Sequence, residues 1–191
     1  HSILKGEVFT FKPGSGFRFD GFQLRDYGKS ALFAQKDLII DASDLPGGIT
    51  INWNGGAQKA RVLAVYGNLT MKNVAITSGH AEAEATGDSS QPYTLGRGGA
   101  IAVWGLATLS DCTFSGNAAV GDTDLSLPTR DRGAFGGAIY ANALIMDKCI
   151  VSGNSVEGFG AAGGGIYSVG GADGLNTDSI LSRSSIIVKR I

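Results

Sequence analysis

Few residues in this chain could do chemistry, and most of them stand alone. Cys112 and Cys149 are the two thiols. They lack the C-x-x-C spacing of a zinc or redox site, and two cysteines are too few to scaffold a disulfide mini-protein, so the redox compartment stays open. His1 and His80 are the two histidines. A copper brace built on an N-terminal histidine would need both on a β-sandwich, which the patterning below argues against. Asp122-x-Asp124-x-Ser126 begins like a calcium loop but lacks the glycine at the sixth place and the glutamate at the twelfth. The stretch from Gly170 to Asp178 misses the spacing of calcium-binding nonapeptides in the same way. Asn68-Leu-Thr70 is a glycosylation sequon, and it opens a strand rather than a loop. If the protein is an enzyme, Asp131 and Arg132 are the catalytic candidates, in a loop that also holds Asp122, Asp124 and Arg130. Carbohydrate cleavage by paired carboxylates requires them to converge on one bond, but the outward positions of the strand candidates are mostly Thr, Ala, Ser and Ile. No metal-ligand set and no cofactor motif is read from the sequence. Gly-Gly-Ala-Ile is not a phosphate loop, because it recurs and no helix follows it.

The elements that would position these residues announce themselves as a repeat, the feature to seek before local structure. Leu69–Gly79, Ala107–Gly116 and Leu144–Gly153 superpose, with one extra residue assigned to the first before its Ser-Gly, and Ser179–Ile187 is a weaker fourth copy. Gly98-Gly99-Ala-Ile101, Gly136-Gly137-Ala-Ile139 and Gly163-Gly164-Gly165-Ile166 lie between them. Measured from Met71, the copies recur after 38, 37 and 35 residues. Each reads as two short strands of period-two alternation around a polar break (Lys72-Asn73, Ser110-Asp111, Asp147-Lys148), followed by a glycine turn.

Strands this short bury little alone, whereas stacked copies share one core. The expectation is an all-β fold, a right-handed parallel β-helix (a solenoid, pectin lyase-like) in which equivalent strands pair in parallel, with handedness taken from the crossover rule. Inward columns follow: Val74–Cys112–Cys149–Ser184 and Ile76–Phe114–Val151–Ile186. Cys112 and Cys149 then form a column of buried free thiols, with a disulfide as the alternative. Residues 1–33 are expected to be an N-terminal cap, 34–66 irregular turns, and 67–191 the regular repeats of a single domain. Insertions are expected at one corner, at 80–97, 118–135 and 155–162, with His80 at the place of Asn117 and Asn154. The end at Ile186–Ile191 shows no cap, so the native chain is expected to continue or to pack on a partner there. The start at His1 is read as a removed targeting signal or a fragment boundary.

Composition narrows the class. There are 30 glycines in 191 residues, about twice the usual ~7%, with only four prolines and 43% hydrophobic residues. A proline-rich disordered tract is excluded, as is collagen, whose glycine falls at every third residue. Sixteen basic residues against 17 acidic ones leave no basic stripe for nucleic acid, and no apolar run of about 18 residues offers a transmembrane helix.

The Gly-Gly-Ala-Ile tetrapeptides at 98–101 and 136–139, with Phe114-Ser-Gly-Asn117, resemble the repeats of chlamydial polymorphic outer membrane proteins. Gly164-Gly165-Ile166 departs by glycine for alanine, and Val151-Ser-Gly-Asn154 by valine for phenylalanine. The similarity covers about 67–191. It implies a secreted or cell-surface β-helical passenger whose motif residues (Gly98, Gly99, Gly136, Gly137, Gly164, Gly165, Phe114, Asn117, Asn154) are structural. The function expected is a non-catalytic structural or adhesive module without cofactors. Its partner would be a protein or glycan at an extracellular surface, reached through stacked loops, or further copies or domains at the open end. A polysaccharide lyase or glycoside hydrolase is the alternative.

Overall fold

The computed structural model describes residues 8–11, 29–53, 59–83, 95–122, 133–170, 180–182 and 184–187. Among them the fold is all-β, and every strand pairing is parallel. No helix of the described residues is long and apolar enough to cross a membrane.

One six-stranded sheet runs from Val8–Phe11 through Ile49–Trp53, Val74–Thr77, Thr113–Ser115 and Ile150–Ser152 to Ser185–Ile187. An eight-stranded sheet is centred on two long strands, Ile101–Ser110 and Ile139–Asp147. Their first halves continue the line of Ser30–Ala34 and Arg61–Val65 and lead on to Ile166–Ser168. Their second halves continue Leu38–Asp41 and Leu69–Lys72 and lead on to Ile180–Ser182.

Register explains the spacing seen in the sequence. Ile101 and Ile139 are partners, as are Leu109 and Met146, yet the first pair is separated by one residue more than the second. The register shifts between Val103 and Leu106, where Trp104 and Gly105 together oppose Asn142. This extra residue is a β-bulge, which bends a strand and re-aims a side chain. Asn142 Nδ2 donates to the Trp104 carbonyl there. A Cβ on Gly105 would sit 2.6 Å from Asn68 Oδ1 and 2.7 Å from the Gly67 oxygen, so the bulge needs glycine.

Alternation places one face of the strands of both large sheets in a main core. Ile51, Ile76, Phe114 and Val151 are register partners in sequence and all buried. Met71, Leu109 and Met146 do the same in the eight-stranded sheet, as do Leu63, Ile101 and Ile139. Parallel strands lie about 4.8 Å apart, so each side chain packs on its equivalents above and below.

The bends use backbone strain. Asn73, Asp111 and Lys148, the second residues of the polar breaks, have φ of 53°, 52° and 52°. Asn and Asp tolerate this left-handed region better than most residues, and Lys148 occupies it at a cost of roughly 1–2 kcal/mol.

Four expectations change. The cap expected over 1–33 contributes strands to the parallel sheets: Val8–Phe11 pairs with Ile49–Trp53, and Ser30–Ala34 with Arg61–Val65. The expected boundary at residue 33 therefore falls inside a strand, while Phe17–Phe19 lies outside the described residues. The irregularity expected over 34–66 lies, among the described residues, at the bend: Leu38–Asp41 and Ile49–Trp53 pair in register with the next layer, but residues 42–48 stand there against Asn73 alone. The stretches read as corner insertions begin and end as strands. His80–Glu82, Ala118–Val120 and Ser155–Glu157 form a three-stranded parallel sheet, and Gly96–Arg97 pairs with Ala134–Phe135. Their inward residues, Ala81, Ala119 and Ala134, make a second small core. Three residues with one inward apolar side chain, Ala81, Ala119 or Val156, carry too little alternation to read as strands.

The fourth change is at the Ser-Gly turn. His80 pairs with Ala118, so Gly79, not His80, is the equivalent of Asn117, and no residue is inserted. Ser78 takes the left-handed position (φ 62°) that Gly116 and Gly153 fill in the next two copies.

Candidate functional site

The sequence candidates fall into two groups. Asp131 and Arg132 lie outside the described residues, as do His1, Asp124 and Arg130. The glycines, asparagines and cysteines are engaged in holding neighbouring strands together. Gly98, Gly136 and Gly163 are equivalent corners with φ of 56°, 66° and 70°. A Cβ at these positions would come within 1.9, 2.0 and 2.1 Å of the carbonyl oxygens of Ile101, Ile139 and Ile166. A Cβ on Gly99 or Gly137 would meet backbone oxygen at 2.2 Å. Gly165 stands in the line of Ala100 and Ala138, and Gly163, absent from the motif set carried over from the resemblance, holds the strained corner.

Asn117 is 1% exposed and fully bonded. Its Oδ1 accepts from the Gly79 amide at 2.9 Å. Its Nδ2 donates to the Ile76 carbonyl at 3.1 Å, the Ser115 carbonyl at 3.2 Å and Asn154 Oδ1 at 3.0 Å. Asn154 donates in turn to the Phe114 carbonyl. Asn68 is exposed, but its Nδ2, the atom a glycan would need, donates to Asp37 Oδ2, while its Oδ1 accepts from the Leu106 amide.

Cys112 and Cys149 are buried free thiols, each just before one of two paired strands, with the Ile150 amide donating to the Cys112 carbonyl beside them. The hydrogen bond with Cys149, reinforced by burial, pushes the Cys112 thiol well above its usual range. A protonated, buried thiol is a poor nucleophile, so Cys112 behaves as packing.

The arrangement with chemical character is one the sequence did not announce. Arg61, in the strand Arg61–Val65, is 1% exposed. Its Nε donates to the carbonyl oxygens of Arg97 (2.7 Å) and Gly98 (3.2 Å), and its Nη1 to Ser30 Oγ (3.2 Å). It therefore clamps the strand Gly96–Arg97 and the glycine corner onto its own strand. Burial, then the nearby Arg97 charge, pushes its pKa down to about 9, still charged at neutral pH.

Arg97 lies over Tyr140, with its guanidinium carbon 5.2 Å from the ring centroid, and its Nε is buried without a hydrogen-bond partner. Tyr140 stacks on Tyr167 at 5.8 Å with planes 8° apart, and Phe135 meets Tyr167 at 4.9 Å. Trp104, re-aimed by the bulge, approaches Tyr140 at 6.1 Å and the Arg61 guanidinium at 6.0 Å.

The glycine corners create this geometry. Because Gly98 and Gly136 reverse the chain tightly, the residue just before each corner lands on the outward aromatic of the following copy: Arg97 on Tyr140, and Phe135 on Tyr167. Cations over aromatic faces are worth about 0.5–2 kcal/mol as they lose water. The result is a cationic, aromatic-walled corner suited to binding an anion with an apolar face.

Protein-family models, curated proteins and solved structures were each compared with this chain, and none matches it.

Proposed function

We propose that the chain winds as a right-handed parallel β-helix and serves as a non-catalytic structural or adhesive module of an extracellular or cell-surface protein. Parallel partners recurring in order through both large sheets support the winding, and the usual hand of parallel crossovers supports its sense. One observation carries the functional reading. The residues that recur in the sequence, Gly98/Gly136/Gly163, Asn117/Asn154 and Cys112/Cys149, all join one strand layer to the next by close backbone approach, hydrogen bonds or packing. A chain whose recurrent residues are structural displays its individuality outward, at sites such as the Arg97 corner. The resemblance to surface-protein repeats points the same way and is the ground for an extracellular location.

The test is a screen of purified protein against anionic and neutral polysaccharides, scored both for retention and for newly released ends. Retention without cleavage is the expected result. Turnover abolished by Asp131→Asn or Arg132→Gln would establish the lyase or hydrolase alternative instead. Electron micrographs of the same preparation report on end-to-end stacking, which would mark a filament subunit.

A further inference from the structure

We infer that the corner formed by Arg97, Trp104, Tyr140 and Tyr167 binds acidic oligosaccharides through a carboxylate or sulfate on Arg97. The inference rests on reading the chain as an extracellular binding module and names the ligand class of that module.

Arg97 is the group that calls for a ligand. It is half-buried, its Nε has no acceptor, and among the described residues no ion pair engages it. Nε is closed to solvent, so an anion meets the part of Arg97 that stays exposed, with the short, charge-assisted bonds that a guanidinium makes best. Arg61, buried behind it and coulombically coupled to it, adds a second positive charge to the corner. Negative charge is therefore what the corner complements.

The aromatic walls specify the rest of the ligand. Trp104, Phe135 and Tyr167 each keep part of their surface exposed around Arg97 and Tyr140. Aromatic rings with one wet edge suit a body that is apolar on its faces and hydroxylated at its rim, which describes a pyranose ring. Nucleic acid also joins anions to flat rings. It needs a basic track along its backbone, however, and a chain of net charge −1 does not supply one.

The site depends on the fold at two points. The bulge at Trp104-Gly105 turns the indole toward Tyr140, and the Gly98 corner delivers Arg97 onto the same ring. A chain with the same residues in another register would have no such corner.

The experiment titrates the full chain with tetragalacturonate, a heparin tetrasaccharide, maltotetraose and an oligothymidylate, using calorimetry and tryptophan fluorescence. At least one acidic saccharide is expected to bind at least tenfold more tightly than maltotetraose, more weakly as salt rises, and with a fluorescence change lost in Trp104→Phe. The two acidic arms distinguish a carboxylate ligand from a sulfate ester. Arg97→Gln is expected to weaken binding at least tenfold, and Arg97→Lys less, with thermal melts confirming that each variant folds. Tyr167→Leu provides an independent variant should Arg97→Gln fail to fold, and it too is expected to weaken binding.

No binding of either acidic saccharide at millimolar concentration overturns the inference, as does equal affinity for maltotetraose or tighter binding of the oligothymidylate. Retention on a neutral polysaccharide with no acidic binding sinks this ligand class but leaves the module reading standing. Cleavage of the tetragalacturonate sinks the non-catalytic reading itself.

Discussion

Two stacks of side chains run through this molecule on the same parallel scaffold and do opposite work. The inner one, Ile51, Ile76, Phe114 and Val151, is dry, apolar and made of direct register partners. The outer one, Arg61, Arg97, Tyr140, Tyr167 and Trp104, is cationic and aromatic; Tyr140 and Tyr167 are register partners, but the two arginines and Trp104 join them diagonally, across a corner. In the inner stack one strand can be replaced by its neighbour with little change, because each position asks only for apolar volume. In the outer stack each residue has a distinct partner, so it holds information that the inner one lacks. Parallel stacking fixes which residues are neighbours, and the side of the sheet decides whether that adjacency becomes stability or recognition.

Variants can separate the two. Phe114→Ala should have the largest effect, because Phe114 is 0% exposed and its loss leaves a cavity between Ile76 and Val151. Deletions of this kind cost about 3–5 kcal/mol, read as a fall in the denaturant midpoint at unchanged slope. A loss below about 1 kcal/mol would mean that the inner column does not carry the fold.

Gly136→Ala strikes where the two stacks meet. Its Cβ would lie 2.0 Å from the Ile139 oxygen and 3.0 Å from the Tyr167 amide, at φ 66°. Left-handed strain plus overpacking predicts a loss of about 3 kcal/mol. Gly116→Ala is the control: it has nearly the same φ of 64° and open space around it, and should cost only about 1 kcal/mol.

Arg61→Met removes the donor to the Arg97 and Gly98 carbonyls while keeping much of the packing. It should cost about 2 kcal/mol in the same measurement and loosen the corner more than the core. Faster hydrogen exchange at the Gly98 and Gly99 amides than at Phe114 would show this. Uniform loosening would mean that the arginine belongs to the core.

The smallest effect concerns acid. Burial, then the charge of Lys59, lowers the pKa of His80 below 6.5, against the opposing pull of Glu82 and Glu157. The unfolded chain then binds the proton first, so stability falls as pH drops from about 6.5 to the folded-state pKa and is flat below it. His80→Gln should remove that slope from thermal melts between pH 7 and 5 and leave the rest of the profile unchanged.

Much of the inner stack was legible in the sequence. Met71, Leu109 and Met146 announce their alignment because period-two alternation flanks a recurring polar break, and the structure pairs them as read. The Ser78 turn was misaligned because serine there conceals a position that glycine fills in the next two copies. The short strands at 80–82, 118–120 and 155–157 went unread because a single inward residue in each, Ala81, Ala119 or Val156, is too weak a signal to mark an inward face. Of the arginine–aromatic corner only the Tyr140–Tyr167 pairing follows from the repeat, each tyrosine standing just after the isoleucine of its glycine motif. Arg61 and Arg97 are 36 residues apart and Arg97 and Tyr140 43, and neither interval coincides with the strand period.

What the amino-acid order determined unaided was the alternation, the glycine corners and the alignment of apolar columns, since these depend on each residue's own volume, polarity and backbone freedom. What only the folded chain decided was the meeting of Arg61, Arg97 and Trp104 with the Tyr140–Tyr167 pair. Their contact needs a one-residue bulge and a reversed corner to act together, and the consequence of two backbone irregularities for distant side chains is set in three dimensions.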